Sequence, residues 1–240
     1  MLQKTLALLH RSLRTDVRLL RVHFFRAGLL CYVLFALSEV QVVSFSGSPG
    51  LDLLRWLLYA NFWFITLSGI LYFSSAITEE KEEQTLGLLK LAGINPLSLL
   101  LGKWLPRMIG ALLLIAVQLP FTLLSITLGG VLIHQVIAAY CTLAAHLVLC
   151  GSIGLFASVV SSRAGAAAVL TLLLMFGLTC LLPFLNLGVT FAYQAGLVPA
   201  GWIEPGDRAG YLLALGRLEE IMQTGFDGSA VGMQVVGNLA

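Results

Sequence analysis

Long apolar runs separated by short polar segments make up most of this sequence. Five of these runs are long enough to cross a bilayer, which takes about 20 consecutive apolar residues. They cover about 27–45, 53–77, 106–129, 131–160 and 164–187. A turn-rich outer segment, 188–228, follows, and 229–240 is apolar enough to begin another run. The pattern predicts an all-α, polytopic transmembrane helix bundle with five complete spans and the start of a sixth.

The N-terminal residues 1–26 show a different pattern, in which apolar and basic positions alternate at helical spacing. Leu6, Leu9 and Leu13 belong to one apolar stripe, whereas Arg11 and Arg14 lie off it. This arrangement predicts a basic amphipathic helix lying at the membrane surface, on the side with anionic lipid.

Composition excludes a soluble globular domain, because 58% of the residues are hydrophobic and only 11% are charged. If 1–26, 78–107 and 161–163 face the cytoplasm, all but three of the 14 Lys and Arg residues lie on that side. The exceptions are Arg55, Arg208 and Arg217. This bias predicts a multi-pass protein of the cell (plasma or inner) membrane with a cytoplasmic N-terminus, and we expect no nucleic-acid partner.

One charged island, Ile77–Lys103, interrupts the apolar runs. Thr78 is suited to cap a short helix whose acidic first turn favours the helix dipole, and Pro96 is expected to end that helix. A short helix between two spans must lie at the water interface. Its acidic start and its apolar face, which includes Leu91, look poorly satisfied by the chain itself, which favours a docking role over that of a solvated loop.

The residues Glu80-Lys81-Glu82-Glu83-Gln84-Thr85-Leu86-Gly87-Leu88-Leu89, followed by Asn95-Pro96-Leu97 and Gly102-Lys103, form a recognisable string. It resembles the EKE-x-GTLE-x-LL…P-x-x-x-x-x-GK segment of type-2 ATP-binding cassette (ABC) permeases. This sequence has Gln84 where the family often has glycine, and Gly87 where it often has glutamate. In that family the segment is the coupling helix, which docks into a groove of the ATPase subunit.

The resemblance implies a transmembrane permease subunit of an ATP-driven exporter, not catalytic by itself, that works with a cytoplasmic ABC ATPase and a second permease copy. The residues it assigns to ATPase coupling are Glu80, Lys81, Glu82, Glu83, Gln84, Thr85, Leu86, Gly87, Leu88, Leu89 and Gly93. The chain lacks a Gly-x-x-x-x-Gly-Lys-Ser/Thr phosphate loop. We therefore expect it to bind no cofactor, with ATP and magnesium held by the partner ATPase.

Two alternatives stay open at this point: a secondary transporter, and a structural membrane protein without a nucleotide-driven partner. Glu39 and Gln41 interrupt the first span and are candidates for a translocation path or for contact with a second copy. Glu39 could equally reach headgroup water. A metal site on the fourth span is not expected, because His134 and His146 are out of phase and about 18 Å apart along a helix.

Further local predictions concern prolines and the outer segment. Pro106 suits the first turn of the third span, and Pro120 predicts a kink within it. Leu215, Leu218 and Met222 predict an amphipathic surface helix with Arg217 off its apolar stripe. Residues 229–240 reach only about 18 Å, less than a bilayer core of about 30 Å, so we expect the natural gene to continue into a sixth span.

Overall fold

The computed structural model describes residues 20–42, 48–85, 91, 96–196, 199 and 214–224. The helices are α1 Leu20–Val42, α2 Pro49–Ser68, α3 Thr78–Glu82, α4 Pro96–Val117, α5 Leu119–Thr127, α6 Ile133–Val160, α7 Ala164–Gln194 and α8 Ala214–Thr224, with a π-helical turn at Gly69–Phe73 after α2. The described part of the chain contains helices and no strand, which confirms the all-α prediction. Of the predicted N-terminal helix, residues 1–19 lie outside the described residues.

Three helices are long and apolar enough to cross a membrane: Pro49–Glu82, Ser98–Thr127 and Ile133–Val160. Two shorter apolar helices, Ala27–Glu39 and Ala164–Thr179, occupy the positions of the other predicted spans. The three long helices have the length and apolarity needed to cross a bilayer core of about 30 Å.

The predictions for Pro120 and Pro106 have opposite outcomes. The predicted kink is confirmed, because the helix is interrupted at Gln118 and α5 begins beside Pro120. Pro106 does not begin a helix but lies inside α4, which begins at Pro96. Pro96 starts this helix, as a first-turn proline can because its missing N–H has no intrahelical partner there. The predicted end of the preceding short helix, residues 92–95, lies outside the described residues. Gly129 and Gly130 end α5 with positive φ angles of 90° and 84°.

Helix α6 lies at the centre of the bundle and packs against α2, α4 and α8. The buried core combines Leu58 and Phe62 of α2 with Leu143 and Leu147 of α6 and Leu218 of α8. The backbones of α6 and the π-helical turn approach closely at glycines, since a Cβ on Gly154 would lie 2.7 Å from the Phe73 Cβ. At Gly165 of α7, by contrast, a Cβ would meet nothing within 4 Å.

Helix α8 forms as predicted, with Leu218 and Met222 buried, but Leu215 of the predicted apolar stripe is exposed and Arg217 is buried. Arg217, expected off the buried stripe, is only 1% exposed and pairs with Glu220. The prediction was wrong because α8 packs on α2 and α6 rather than lying free on a surface. Gln135 of α6 donates its amide N–H to the carbonyl oxygen of Ile221 at 3.1 Å, and Tyr59 of α2 contacts Glu219.

The bundle has two distinct ends. At one, called here the charged end, residues 77–85 meet Lys103 and Arg107 of α4 and the α6–α7 turn, residues 158–164. At the other, called the opposite end, Gly50 contacts the end of α5, and α8 covers the beginning of α6. The charged end thus brings together parts of two of the three segments, 78–107 and 161–163, that the distribution of Lys and Arg assigned to one side of the membrane.

Candidate coupling site at the charged end

Helix α3 begins at Thr78, but Thr78 does not cap it. The N-cap position is Ile77, and Thr78 is fully buried as the first helical residue, with its hydroxyl donating to the Ser74 carbonyl at 3.3 Å. The hydroxyl oxygen of Ser158, on α6, accepts the backbone N–H groups of Ile77 at 2.7 Å and Thr78 at 3.1 Å. The capping prediction is therefore wrong: a serine of another helix satisfies these donors.

The first two carboxylates of α3 bind basic residues of α4. Glu79 pairs with Arg107 at 3.0 Å between Oε2 and Nη2, and Glu80 pairs with Lys103 at 2.6 Å between Oε1 and Nζ. Arg107 is buried, so its guanidinium needs several partners. It also donates to the carbonyl oxygen of Tyr72 and to the Ser75 hydroxyl, and it lies 4.7 Å from the Tyr72 ring centroid.

The next two residues bind the turn between α6 and α7. Lys81 Nζ donates to the carbonyl oxygens of Ser158 at 3.0 Å, Val159 at 2.5 Å and Ser161 at 2.7 Å. Glu82 Oε1 accepts the backbone N–H of Ala164 at 2.7 Å. A cation thus lies at the carbonyl end of α6 and an anion at the amide end of α7, where each helix dipole favours that charge. These contacts of Lys81 and Glu82 are called the α3 clamp below.

The α3 clamp and the α4 ion pairs overturn one premise of the sequence analysis. The acidic start of the segment is satisfied by the chain itself, because Glu79, Glu80 and Glu82 all have partners within it. Glu79 and Glu82 are exposed although each is paired, and the exposed surface continues beyond the clamp. Glu83 is exposed on the surface, and Leu91 is 85% exposed.

Gln84 and Thr85 end the described part of the coupling segment. Gln84 has a φ of 55°, the one non-glycine residue with positive φ in the described part of the chain. Thr85 turns back, and its hydroxyl contacts both the backbone carbonyl and the carboxylate of Glu80. The remaining residues assigned to coupling, Leu86, Gly87, Leu88, Leu89 and Gly93, lie outside the described residues.

The candidates for a translocation path lie elsewhere. Glu39 is half-buried on α1, the helix that packs on α2 through Leu29, Val33 and Ala36. Gln41 lies on the same helix, and its side chain is outside what the structure describes. The part played by either residue in transport stays a prediction.

Sequence reasoning missed a set of polar contacts inside the bundle. The side-chain amides of Asn61 and Gln118 exchange two hydrogen bonds, of 3.0 and 2.7 Å, where α4 is interrupted. His146 lies 3.1 Å from the Thr66 hydroxyl and 3.4 Å from Cys150 Sγ. Polar residues within apolar runs were the available signal, because each must find a partner when buried.

These internal contacts do not bring together a metal-binding set. Within the described ranges, no group of three or more His, Cys, Asp or Glu residues is placed to hold a metal ion. His146 and Cys150 are neighbours because they stand one helical turn apart, and the His146 ring also stacks on Phe62 with 4.6 Å between centroids. Their surroundings are those of polar side chains satisfied within a helical core.

Comparison of the sequence with known proteins adds no relative. No model of a protein family matches the chain, and no curated protein matches it.

Proposed function

We propose that this chain is the transmembrane permease subunit of an ATP-driven transporter, an exporter, and that its ATPase docks on the segment following α3. The observation that carries this proposal is the construction of the charged end. Helix α3, five residues long, ends the long apolar stretch Pro49–Glu82 and precedes the next one, Ser98–Thr127, and its charged side chains bind α4 and the α6–α7 turn. Glu83 and Leu91 stay exposed, an acidic and an apolar contact for a soluble partner.

The same proposal fixes a topology. The N-terminus and the charged end face the cytoplasm of a cell membrane, and five spans cross it. A second permease copy completes the transport path, and Mg-ATP binds to the ATPase alone. This arrangement is supported by the collection of 77–85, Lys103, Arg107 and Arg163 at one end of the bundle, since Lys and Arg favour the cytoplasmic side.

The test is co-purification of the tagged full-length chain from native membranes in mild detergent. Wild type should retain a protein that carries a phosphate-binding loop and hydrolyses Mg-ATP. Reversing the exposed charge and removing the apolar contact, in Glu83→Lys/Leu91→Asp, should weaken retention at least about tenfold, because both contacts would be lost. The matched control is Glu219→Lys, the same charge reversal at the opposite end, which should retain the ATPase as wild type does.

Two results would contradict the proposal in different ways. If wild type retains no ATPase under conditions that preserve the fold, the transporter assignment is wrong. If Glu83→Lys/Leu91→Asp retains as much ATPase as wild type, the ATPase docks elsewhere on the chain. Membrane insertion of each variant is checked first by extraction with carbonate, which leaves integral proteins in the membrane pellet.

The alternative of a secondary transporter has one observation in its favour, the buried polar contacts of Asn61, Gln118 and His146. An ion-coupled carrier places ionisable groups near the middle of the membrane. Transport by the purified chain alone in proteoliposomes, driven by a proton or sodium gradient, would favour this alternative over the permease.

A further inference from the structure

Helix α3 touches two separate parts of the bundle through consecutive residues. Glu79 and Glu80 bind α4, whereas Lys81 and Glu82 bind the α6–α7 turn. The first pair of contacts joins α3 to a helix close behind it in sequence. The second pair reaches the far end of α6 and the start of α7. Glu80 of the first pair and both residues of the second are among those that the sequence analysis assigned to the ATPase.

We propose that Lys81 and Glu82 are positioning residues that connect α3 to α6 and α7, so that a displacement of α3 moves both helices, and that they are not ATPase contacts. This inference rests on the proposed function, because it concerns how motion of the docked segment reaches the membrane helices. It narrows the docking surface to the residues after Glu82.

The geometry of the α3 clamp supports rigid transmission. Three carbonyl oxygens at the end of α6 share one ammonium group, and the Ser158 hydroxyl holds the first two N–H groups of the α3 region. Glu82 holds the first N–H of α7 from the same short helix. Hydrogen bonds with a charged partner are among the stronger ones, so α3 and the α6–α7 turn should move as one body.

The core behind the turn extends this connection. Cys150 of α6 would lie 3.1 Å from a Cβ placed on Gly69, and Gly154 abuts Phe73 and the Gly69 carbonyl. Tightly packed elements transmit small displacements instead of absorbing them. A displacement of α3 is therefore transmitted directly to α6, the central helix of the bundle.

The first arm of the test uses the purified full-length chain without any ATPase. Hydrogen–deuterium exchange is followed for the amides of residues 159–166. Lys81→Met with Glu82→Ala should raise exchange at least about fivefold, because the last carbonyls of α6 and the first amide of α7 lose their caps. Lys81→Arg with Glu82→Gln keeps a donor and an acceptor and should restore slow exchange. Unchanged exchange in the Lys81→Met/Glu82→Ala variant would overturn the clamp.

The second arm uses the complex with the co-purified ATPase in lipid nanodiscs. Nitroxide labels at Ser162 and Leu128, exposed at the two ends, report the change in distance distribution on adding Mg-ATP. In Lys81→Met/Glu82→Ala the ATPase should bind within about twofold of wild-type affinity while the change is lost, and Lys81→Arg/Glu82→Gln should restore it. If Lys81 and Glu82 only stabilised the fold, their double variant would not lose the ATP-dependent change in distance while keeping its affinity for the ATPase.

The two arms distinguish failure of this inference from failure of the proposed function. If the Lys81→Met/Glu82→Ala complex keeps the ATP-dependent change, or loses the ATPase altogether, the positioning role is wrong although the transporter assignment stands. If wild type captures no ATPase, the proposed function fails and the transmission role with it, whatever the exchange measurements show of the clamp.

Discussion

The charged end and the opposite end of the bundle are held by different kinds of contact. At the charged end, side chains do the binding: ion pairs join α3 to α4, and Lys81 and Glu82 bind backbone groups of the α6–α7 turn. At the opposite end, the Gln135 side chain also binds a backbone carbonyl, but here two backbones meet directly as well, since Gly50 at the beginning of α2 abuts the carbonyl oxygens of Ser125 and Gly129. A side-chain contact can be removed by substituting one residue. A direct contact between two backbones forms only where no side chain separates them.

This difference predicts how each end tolerates substitution. The opposite end should be sensitive to small increases in volume and indifferent to charge-conserving changes. The charged end should respond to the loss of individual donors and acceptors, with effects graded by how deeply each group is buried. In the proposed function, motion enters at the charged end, where α3 and the α6–α7 turn move as one body.

The largest effect is expected for Gly50→Ala. A Cβ at this position would overlap the carbonyl oxygens of Ser125 and Gly129, both backbone atoms, so α2 or α5 must shift. We expect a loss of about 2–3 kcal/mol in the free energy of unfolding, typical of overpacking against a rigid neighbour. The measurement is unfolding by SDS in mixed micelles, with the helical content followed by circular dichroism.

The matched control for Gly50→Ala is Gly165→Ala, near the beginning of α7, where a Cβ meets nothing within 4 Å. Because alanine favours helix more than glycine does, this variant should be as stable as wild type or slightly more stable. Equal stability of the two variants would show that the close contact at the opposite end does not form.

The next largest effect is expected at the charged end for Arg107→Met. Arg107 is 5% exposed, and its guanidinium donates hydrogen bonds to the Tyr72 carbonyl, the Ser75 hydroxyl and the Glu79 carboxylate. Removing a charged donor with several acceptors should cost about 2 kcal/mol in the free energy of unfolding, measured in the same mixed micelles. Glu79→Gln removes only the half-exposed partner and should cost less than about 0.5 kcal/mol. Equal losses of stability in the two variants would show that the burial of Arg107 does not determine the size of the loss.

Local sequence signals were enough for the helical class, for the position of α6 and for the interruption at Pro120. Hydrophobic composition, helical periodicity and the effect of a proline each depend on residues that are close together in the sequence. Contacts between distant residues could not be read in that way. Lys81 is 77 residues from Ser158, and nothing in its neighbourhood distinguishes a lysine that caps another helix from one that meets a partner protein.

The predictions for Arg217 and Thr78 were wrong for the same reason. An arginine on the polar face of a short helix is exposed unless a neighbouring helix covers that face, and α8 is covered. A threonine at the start of a helical run caps it unless another acceptor is closer, and here the Ser158 hydroxyl oxygen accepts the first N–H groups of the α3 region. In both cases the tertiary packing overrode a correct local preference.

The smallest predicted effect is a gain in stability at the charged end, for Gln84→Gly. Gln84 has a φ of 55°, a left-handed conformation that is unfavourable for any residue with a Cβ. Type-2 ABC permeases, which this segment resembles, often have glycine at the matching position. Glycine adopts this conformation without strain, so we expect the free energy of unfolding to rise by up to about 1 kcal/mol in the mixed-micelle measurement.

Glu83→Gly, one residue earlier, is the matched control for Gln84→Gly. Glu83 has a φ of −77°, an ordinary helical value, so glycine there adds freedom to the unfolded chain and relieves no strain. This variant should lose about 0.5–1 kcal/mol, opposite in sign to its neighbour. A loss of stability in both variants would mean that Gln84 is not held in the left-handed conformation, and that the turn leading from α3 into the docking segment takes another path.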